Sequence, residues 1–233
     1  MKKTWCFLFL LALSTLAFSA QVERSLKLPA DGITKLSVDA GAGSLDIRGE
    51  EGLSSIEVTA EISVEWIGKN KFDEFLKDHL RFSLEKSGGE AVLKGYFEFV
   101  GIVLPRDATV NLTVRVPKSM NLYVDDGSGP LTVDTIKGDV RIDDGSGDIT
   151  AENIDGNLII DDGSGGIEAG NITGDVRIDD GSGSMRIVKV GGTVTVDDGS
   201  GGISIDDIGK DVVFKSTGSG SVRTGNIRGR IVR

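Results

Sequence analysis

Cysteine occurs once in the 233 residues, at Cys6, and histidine once, at His79. Cys6 lies inside an N-terminal apolar run, so a chain shorn of that run holds no thiol. That excludes disulfides, thiolate metal sites and Cys–His catalysis. One histidine, placed beside Asp78 and read as a surface or capping residue, leaves transition metals without a ligand set. Positive charge is also scarce: 26 Lys and Arg against 36 Asp and Glu give a net charge of -10. Such a surface repels nucleic-acid phosphates and anionic lipid heads, and no nucleic-acid partner is expected without a local basic patch. Four prolines, two tryptophans and two tyrosines argue for little besides strands and turns.

Long hydrophobic runs are absent but for one, Trp5 to Leu13, in MKKTWCFLFLLALSTLAFSA. Two lysines precede it and small residues (Ala17, Ser19, Ala20) follow, the pattern of a secretory signal over residues 1–20, and the run is too short to cross a bilayer. Cleavage after Ser19 or Ala20 removes Lys2 and Lys3 and takes the charge to -12. Cys6 lies within the apolar core of the signal, not behind its small residues, so it is no lipid-anchor site. The expected product is exported, to the periplasm, the outer surface or the medium, with no transmembrane segment in the mature chain.

Glycine, in contrast, is abundant, with 33 residues. DDGSG begins at Asp125, Asp143, Asp161, Asp179 and Asp197, 18 residues apart each time. Apolar residues recur in the same register: Leu122, Val124, Leu131, Val133 and Ile136, then Val140, Ile142, Ile149, Ala151 and Ile154, and so on through Val194, Val196, Ile203, Ile205 and Ile208. Period-two alternation means short strands with one face inward. A coil of two such strands, stacked on the next at about 4.8 Å, makes a single-stranded parallel β-solenoid. A sixth coil from Asp211 places Val212, Phe214, Val222 and Ile227 inward, is one residue longer, and has STGSG for DDGSG. Six coils would make a rod roughly 29 Å long.

An outlying copy, LSVDAGAGSLDI from Leu36 to Ile47, aligns without a gap on LYVDDGSGPLTV from Leu122 to Val133. Residues 36–49 therefore form a first degenerate coil. Between the copies, Ile56 to Trp66 alternates as a strand, and Phe72, Phe75, Leu76 and Leu80 share one side of a short helix near 70–80. Further strands follow around Gly88 and Gly89 and in ATVNLTVRVP. Residues 21–120 are thus expected to be a β-rich N-terminal part whose helix covers the open end of the solenoid, with the repeats filling 121–233. At the other end Arg223, Arg228, Arg230 and Arg233 crowd the last coil, where charge discourages edge-to-edge pairing.

The stretch VNLTVRVPKSMNLYVDDGSG, followed by GDVRIDDGSGDI units and preceded by VDAGAGSLDI, resembles the bacterial "putative-adhesin" family of β-strand-repeat domains, a domain of unknown function. The resemblance spans nearly all of the mature chain. It implies a β-helix-like fold on an exported or envelope protein, and it brings no catalytic residues. The paired acids and the near-constant unit depart from the family pattern.

The acids resemble two calcium motifs and satisfy neither. With Asp144 at the third position of an EF-hand loop, Gly147 and Ile149 fit, but positions one and twelve fall on Ile142 and Asn153. The calcium-binding nonapeptide roll needs an acid where this chain has Leu131, Ile149, Ile167, Met185 or Ile203. A looser cation site, for Ca²⁺, would use Asp125, Asp143, Asp161, Asp179 and Asp197 in one column and Asp126, Asp144, Asp162, Asp180 and Asp198 in the next. Carboxylates about 5 Å apart repel by roughly 0.8 kcal/mol in water and about 3 kcal/mol at a lower effective dielectric.

The plainer reading is a turn with a solvated acidic face: the second Asp accepts amide bonds within its own corner, while the glycines take positive φ. Those glycines are Gly127, Gly129, Gly145, Gly147, Gly163, Gly165, Gly181, Gly183, Gly199 and Gly201. Copies reading DAGAG and STGSG keep the glycines without the paired acids, so the glycines make the corner. Carboxylates two coils apart, about 9.6 Å, come near the spacing of inverting glycosidases. They are nevertheless equivalent, whereas acid–base chemistry needs an unlike pair. An outward column of Tyr123, Arg141, Ile159, Arg177, Thr195 and Val213 is too mixed for an ice-binding face. The expectation is a non-enzymatic, adhesin-like binding or structural module with no cofactor and an unknown envelope or extracellular ligand. Its alternatives are a Ca²⁺-stabilised acidic solenoid and, more remotely, a polysaccharide-active enzyme.

Overall fold

The computed structural model describes residues 19–65, 69–98 and 108–233. The secretory signal therefore lies outside the described residues, apart from Ser19 and Ala20, which open the first strand; Trp66 lies outside them too. Before the repeats come β1 (Ser19–Pro29), β2 (Lys35–Ala40), β3 (Leu45–Glu50), β4 (Ser55–Glu65), α1 (Lys69–His79), β5 (Leu80–Ser87), β6 (Glu90–Phe97) and β7 (Ala108–Pro117). Each repeat then gives two strands: β8 (Asn121–Asp126) and β9 (Leu131–Ile136), β10 (Val140–Asp144) and β11 (Ile149–Ile154), β12 (Leu158–Asp162) and β13 (Ile167–Ile172). The series continues with β14 (Val176–Asp180) and β15 (Met185–Val190), β16 (Val194–Asp198) and β17 (Ile203–Ile208), β18 (Val212–Thr217) and β19 (Val222–Ile227), and closes on β20 (Ile231–Val232).

These strands form two ten-stranded sheets that face each other across one core. One has the order β1-β4-β7-β3-β9-β11-β13-β15-β17-β19, the other β20-β18-β16-β14-β12-β10-β8-β2-β6-β5. From β8 onward neighbours are parallel and in register, so that Ile142 lies between Val124 and Ile160, and Ile149 between Leu131 and Ile167. The alternating aliphatics are buried as their spacing requires, including Ile142, Ile154 and Ile178 at 0 % exposure. The extra residue of the sixth coil appears as a register shift in which Asp197 pairs with Ser216, leaving Lys215 unpaired. Val222 and Ile227, expected inward, are only partly buried. The expected β-solenoid of 18-residue coils is thus the observed fold.

The strands before the repeats continue the same sheets. Strands β2 and β3 stack on β8 and β9 as the degenerate copy requires. Strands β6 and β7 then add a further coil outside β2 and β3, so the chain steps over its own first coil before returning to Asn121. Antiparallel pairing of β1 with β4, of β4 with β7 and of β5 with β6 closes this end. Helix α1 packs on β5 and sends Phe72 and Leu76 into the core, with the Phe75 ring 5.5 Å from that of Phe97. The end is therefore covered by strands as well as by the expected helix.

Two corners define each coil. At GSG the second glycine is left-handed: Gly147 has a φ of 148°, and a Cβ there would lie 2.0 Å from the carbonyl oxygen of Gly129 on the coil before. The first glycine is needed for another reason than the expected positive φ. Gly145 does not adopt one, but its Cβ would fall 2.6 Å from Gly127 O. At the other corner a residue that is not glycine takes the left-handed conformation in each of the six coils from β9 to β19: Thr135, Asn153, Asn171, Lys189, Asp207 and Asn226, with φ between 50° and 61°. This turn lets two residues in succession face outward before Ile154 and its equivalents turn in again.

Candidate functional site

The paired acids separate into two unlike columns. Asp125, Asp143, Asp161, Asp179 and Asp197 face outward and are exposed or half-buried. Asp126, Asp144, Asp162, Asp180 and Asp198 face inward and are 1 to 3 % exposed. The solvated acidic face expected for both columns is thus found for the first alone. The cause lies in the strand itself: in Val140-Arg141-Ile142-Asp143-Asp144, alternation that buries Val140 and Ile142 must also bury Asp144. Parallel pairing then stacks Asp126 on Asp144, Asp144 on Asp162, Asp162 on Asp180 and Asp180 on Asp198.

The expected amide bonds within the corner are present on part of this inner column. Ser164 N–H donates to Asp162 Oδ1 at 3.2 Å and Ser182 N–H to Asp180 Oδ1 at 3.0 Å. The amides of Ser146 and Ser200 act on Asp144 and Asp198 in the same sense at looser geometry. Both oxygens of Asp126, Asp144 and Asp198, and Oδ2 of Asp162 and Asp180, are buried without a hydrogen-bond partner. Burial, followed by repulsion from Asp144, pushes Asp126 up to about 7. Burial, followed by repulsion from the neighbouring rung Asp162, raises Asp144 and Asp180 to about 6 each. Asp162 and Asp198 are raised chiefly by burial. Among the described residues no three of His, Cys, Asp or Glu converge as ligands of one ion.

A third polar column treats its charge differently. Asn121 Oδ1 accepts Asp139 N–H, Asp139 Oδ1 accepts Asn157 N–H, Asn157 Oδ1 accepts Asp175 N–H, and Asp175 Oδ1 accepts Thr193 N–H, at 2.8 to 2.9 Å. Asn and Asp alternate here, so no two carboxylates stack on adjacent coils, and every rung from Asn121 to Asp175 holds the next coil by a side-chain bond. The second turns that separate the repeats in the sequence are therefore ladders as well as corners.

Beside this ladder, on the outer face of the sheet that carries the acids, lies a groove of about 600 Å³. Tyr123, Arg141, Ile159, Arg177 and Thr195 form its floor, and the ladder its rim. Arg141 and Arg177 are exposed and make no ion pair among the described residues, while the Lys35 ammonium lies 5.4 Å from the Tyr123 ring centre. It was the mixture in this column that the sequence showed, not that it would frame a continuous surface. His79, as expected, lies at the surface, its ring 4.8 Å from that of Phe75 and its Nδ1 3.1 Å from Glu98 O. In the arginine-rich last coil, Arg230 pairs with Asp211 at 3.2 Å and the Arg233 guanidinium lies 5.7 Å from the Phe214 ring.

No protein-family model matches the chain, and no curated protein matches it. Solved structures are similar to it over most of their length. A "putative cell adhesion protein" from Clostridium sporogenes is 14 % identical, with a TM-score of 0.45 over 91 % of this chain and 98 % of that one. A "putative adhesin" from Bacteroides fragilis is 9 % identical, with a TM-score of 0.45 over 91 % and 96 %. A "putative lipid binding protein" from Parabacteroides distasonis is 16 % identical, with a TM-score of 0.45 over 91 % and 97 %, which makes the chain similar to solved structures bearing two kinds of name.

Proposed function

We propose that the protein is an exported, non-enzymatic binding module of a bacterial envelope, and that its ligand lies along the outer face of the sheet containing β8, β10, β12, β14 and β16. The groove carries this reading: it crosses five coils from Tyr123 to Thr195 and offers an aromatic ring, two exposed guanidiniums and an aliphatic floor at Ile159. A site with a few polar groups on an apolar floor suits a bound ligand. The outward carboxylates are repeats of one another and supply no pair of unlike acid and base, which argues against hydrolysis. The secretory signal read in the first twenty residues supports export.

The test is a binding screen of the purified chain against envelope glycans, lipids and extracellular matrix components, followed by Tyr123→Ala with Arg141→Ala on one face and Arg186→Ala on the opposite sheet as control. Loss of binding in the first variant alone supports the reading. Equal loss in the control, or turnover of any bound polysaccharide, overturns it.

A further inference from the structure

We propose that the inner aspartate column is a proton-binding site: a file of carboxylic acids that the folded solenoid holds neutral, and whose deprotonation loosens the coils that carry it.

Three observations point to the proton as the ligand. First, a buried carboxylate oxygen without a partner is costly, and this column of five buried carboxylates holds eight such oxygens. A proton removes that cost without needing space, whereas a metal ion needs a ligand shell, and among the described residues none is assembled. Second, no cation among the described residues compensates. None of the five makes an ion pair there, and the charged groups that act on them are all acids: the neighbouring rungs themselves, Asp125, Asp143, Asp161 and Asp179 on the same strands, and Asp148 at the corner before β11. The facing sheet opens each strand with an aliphatic residue, Leu131, Ile149, Ile167, Met185 or Ile203, all buried. Third, the neighbouring corner ladder avoids stacked charge by alternating Asn with Asp, while the inner column has Asp on every rung. Rungs so close titrate together, each proton lost making the next harder to remove.

Infrared spectroscopy of the whole chain tests this directly. At about pH 5, above the ordinary carboxylate range, the carbonyl stretch of a protonated acid should be present, and it should disappear by about pH 8. Asp144→Asn with Asp180→Asn should weaken that band while Asp126 keeps its share, and Asp143→Asn, on the outer column, should leave it intact. Should the double variant not fold, Asp144→Asn alone should weaken the band. Absence of the band at pH 5, or its survival undiminished in the inner-column variants, overturns the proposal. So does its loss on adding Ca²⁺ at constant pH with stoichiometric uptake of the ion, which would make the column a cation site.

Discussion

Asp126 pairs in register with Asp144 on the next coil, and both carboxylates are buried with neither oxygen of either hydrogen-bonded. The stability of the fold must then depend on pH in an unusual direction. An unfolded Asp titrates near 3.9, whereas folded Asp126 titrates at about 7 and Asp144 and Asp180 at about 6. Between these limits the folded chain holds protons that the unfolded chain has released, so stability falls as pH rises from about 4 to about 7 and the loss is complete above that. Surface acids work the other way: Glu50, Glu57 and Glu90, held down by hydrogen bonds with Arg115, Lys27 and Ser37, lose their contribution as pH drops below their ordinary range. Thermal melts should thus peak near pH 5 and fall by roughly 10 °C or more at pH 8, at about 2–4 °C per kcal/mol for a chain of this size. A melting temperature that climbs from pH 5 to pH 8 would contradict the burial of the column.

Replacing a glycine at the GSG corner should cost more than a left-handed residue alone does. Gly147→Ala adds a Cβ within 2.0 Å of Gly129 O, a backbone atom that cannot move without disturbing the hydrogen bond from Gly129 N–H to Ser146 O. A loss of about 3 kcal/mol or more is expected from strain and displaced stacking together. Gly52→Ala, at a φ of 73° with open space around its Cβ, isolates the conformational part and should cost about 1 kcal/mol. Urea titrations of the two variants check the difference, and equal losses would refute the close approach of the coils.

The other corner offers the opposite change. Lys189 occupies the left-handed position at a φ of 56° where other coils have Asn153, Asn171 and Asn226. Asn tolerates this region better than Lys, and Asn171 bonds its counterpart Asn153 at 3.1 Å. Lys189→Asn should therefore stabilise the fold by roughly 0.5–1 kcal/mol, read as a higher urea midpoint at unchanged slope.

The repeat, the inward aliphatics and the glycine corners were legible because each follows from a local rule: side chains alternate along a strand, and stacked corners exclude a Cβ. The burial of Asp144 was legible by the same rule, since Val140, Ile142 and Asp144 share one parity. What hid it is the general cost of burying charge, which favours placing any carboxylate outside. The left-handed corner was not legible, because Thr135, Asn153, Lys189 and Asp207 have little side-chain chemistry in common. Nor was the stacking of β6 and β7 outside β2 and β3, for no residue pattern within a strand specifies which earlier coil it joins. The groove belongs to this second group: it depends on which outward residues of five different coils become neighbours.

The aliphatic columns provide the sharpest contrast with the acid column, because both lie in the same strands. Ile178 is fully buried between Ile160 and Val196, two residues before Asp180. Ile178→Asp puts a carboxylate where no corner amide approaches, and it adds a cavity to the desolvation cost, so it should destabilise by several kcal/mol. Asp180→Leu removes the unpartnered oxygen and the rung charges at once, and loses only the bond from Ser182 N–H at 3.0 Å. Replacing a buried ionisable group by an apolar one of similar size is often neutral or stabilising. At about pH 8, where the column is deprotonated, Asp180→Leu should melt no lower than the parent chain, while Ile178→Asp should melt far below it. If the two variants were equally unstable, the inward carboxylates would be paired in a way that their geometry does not contain.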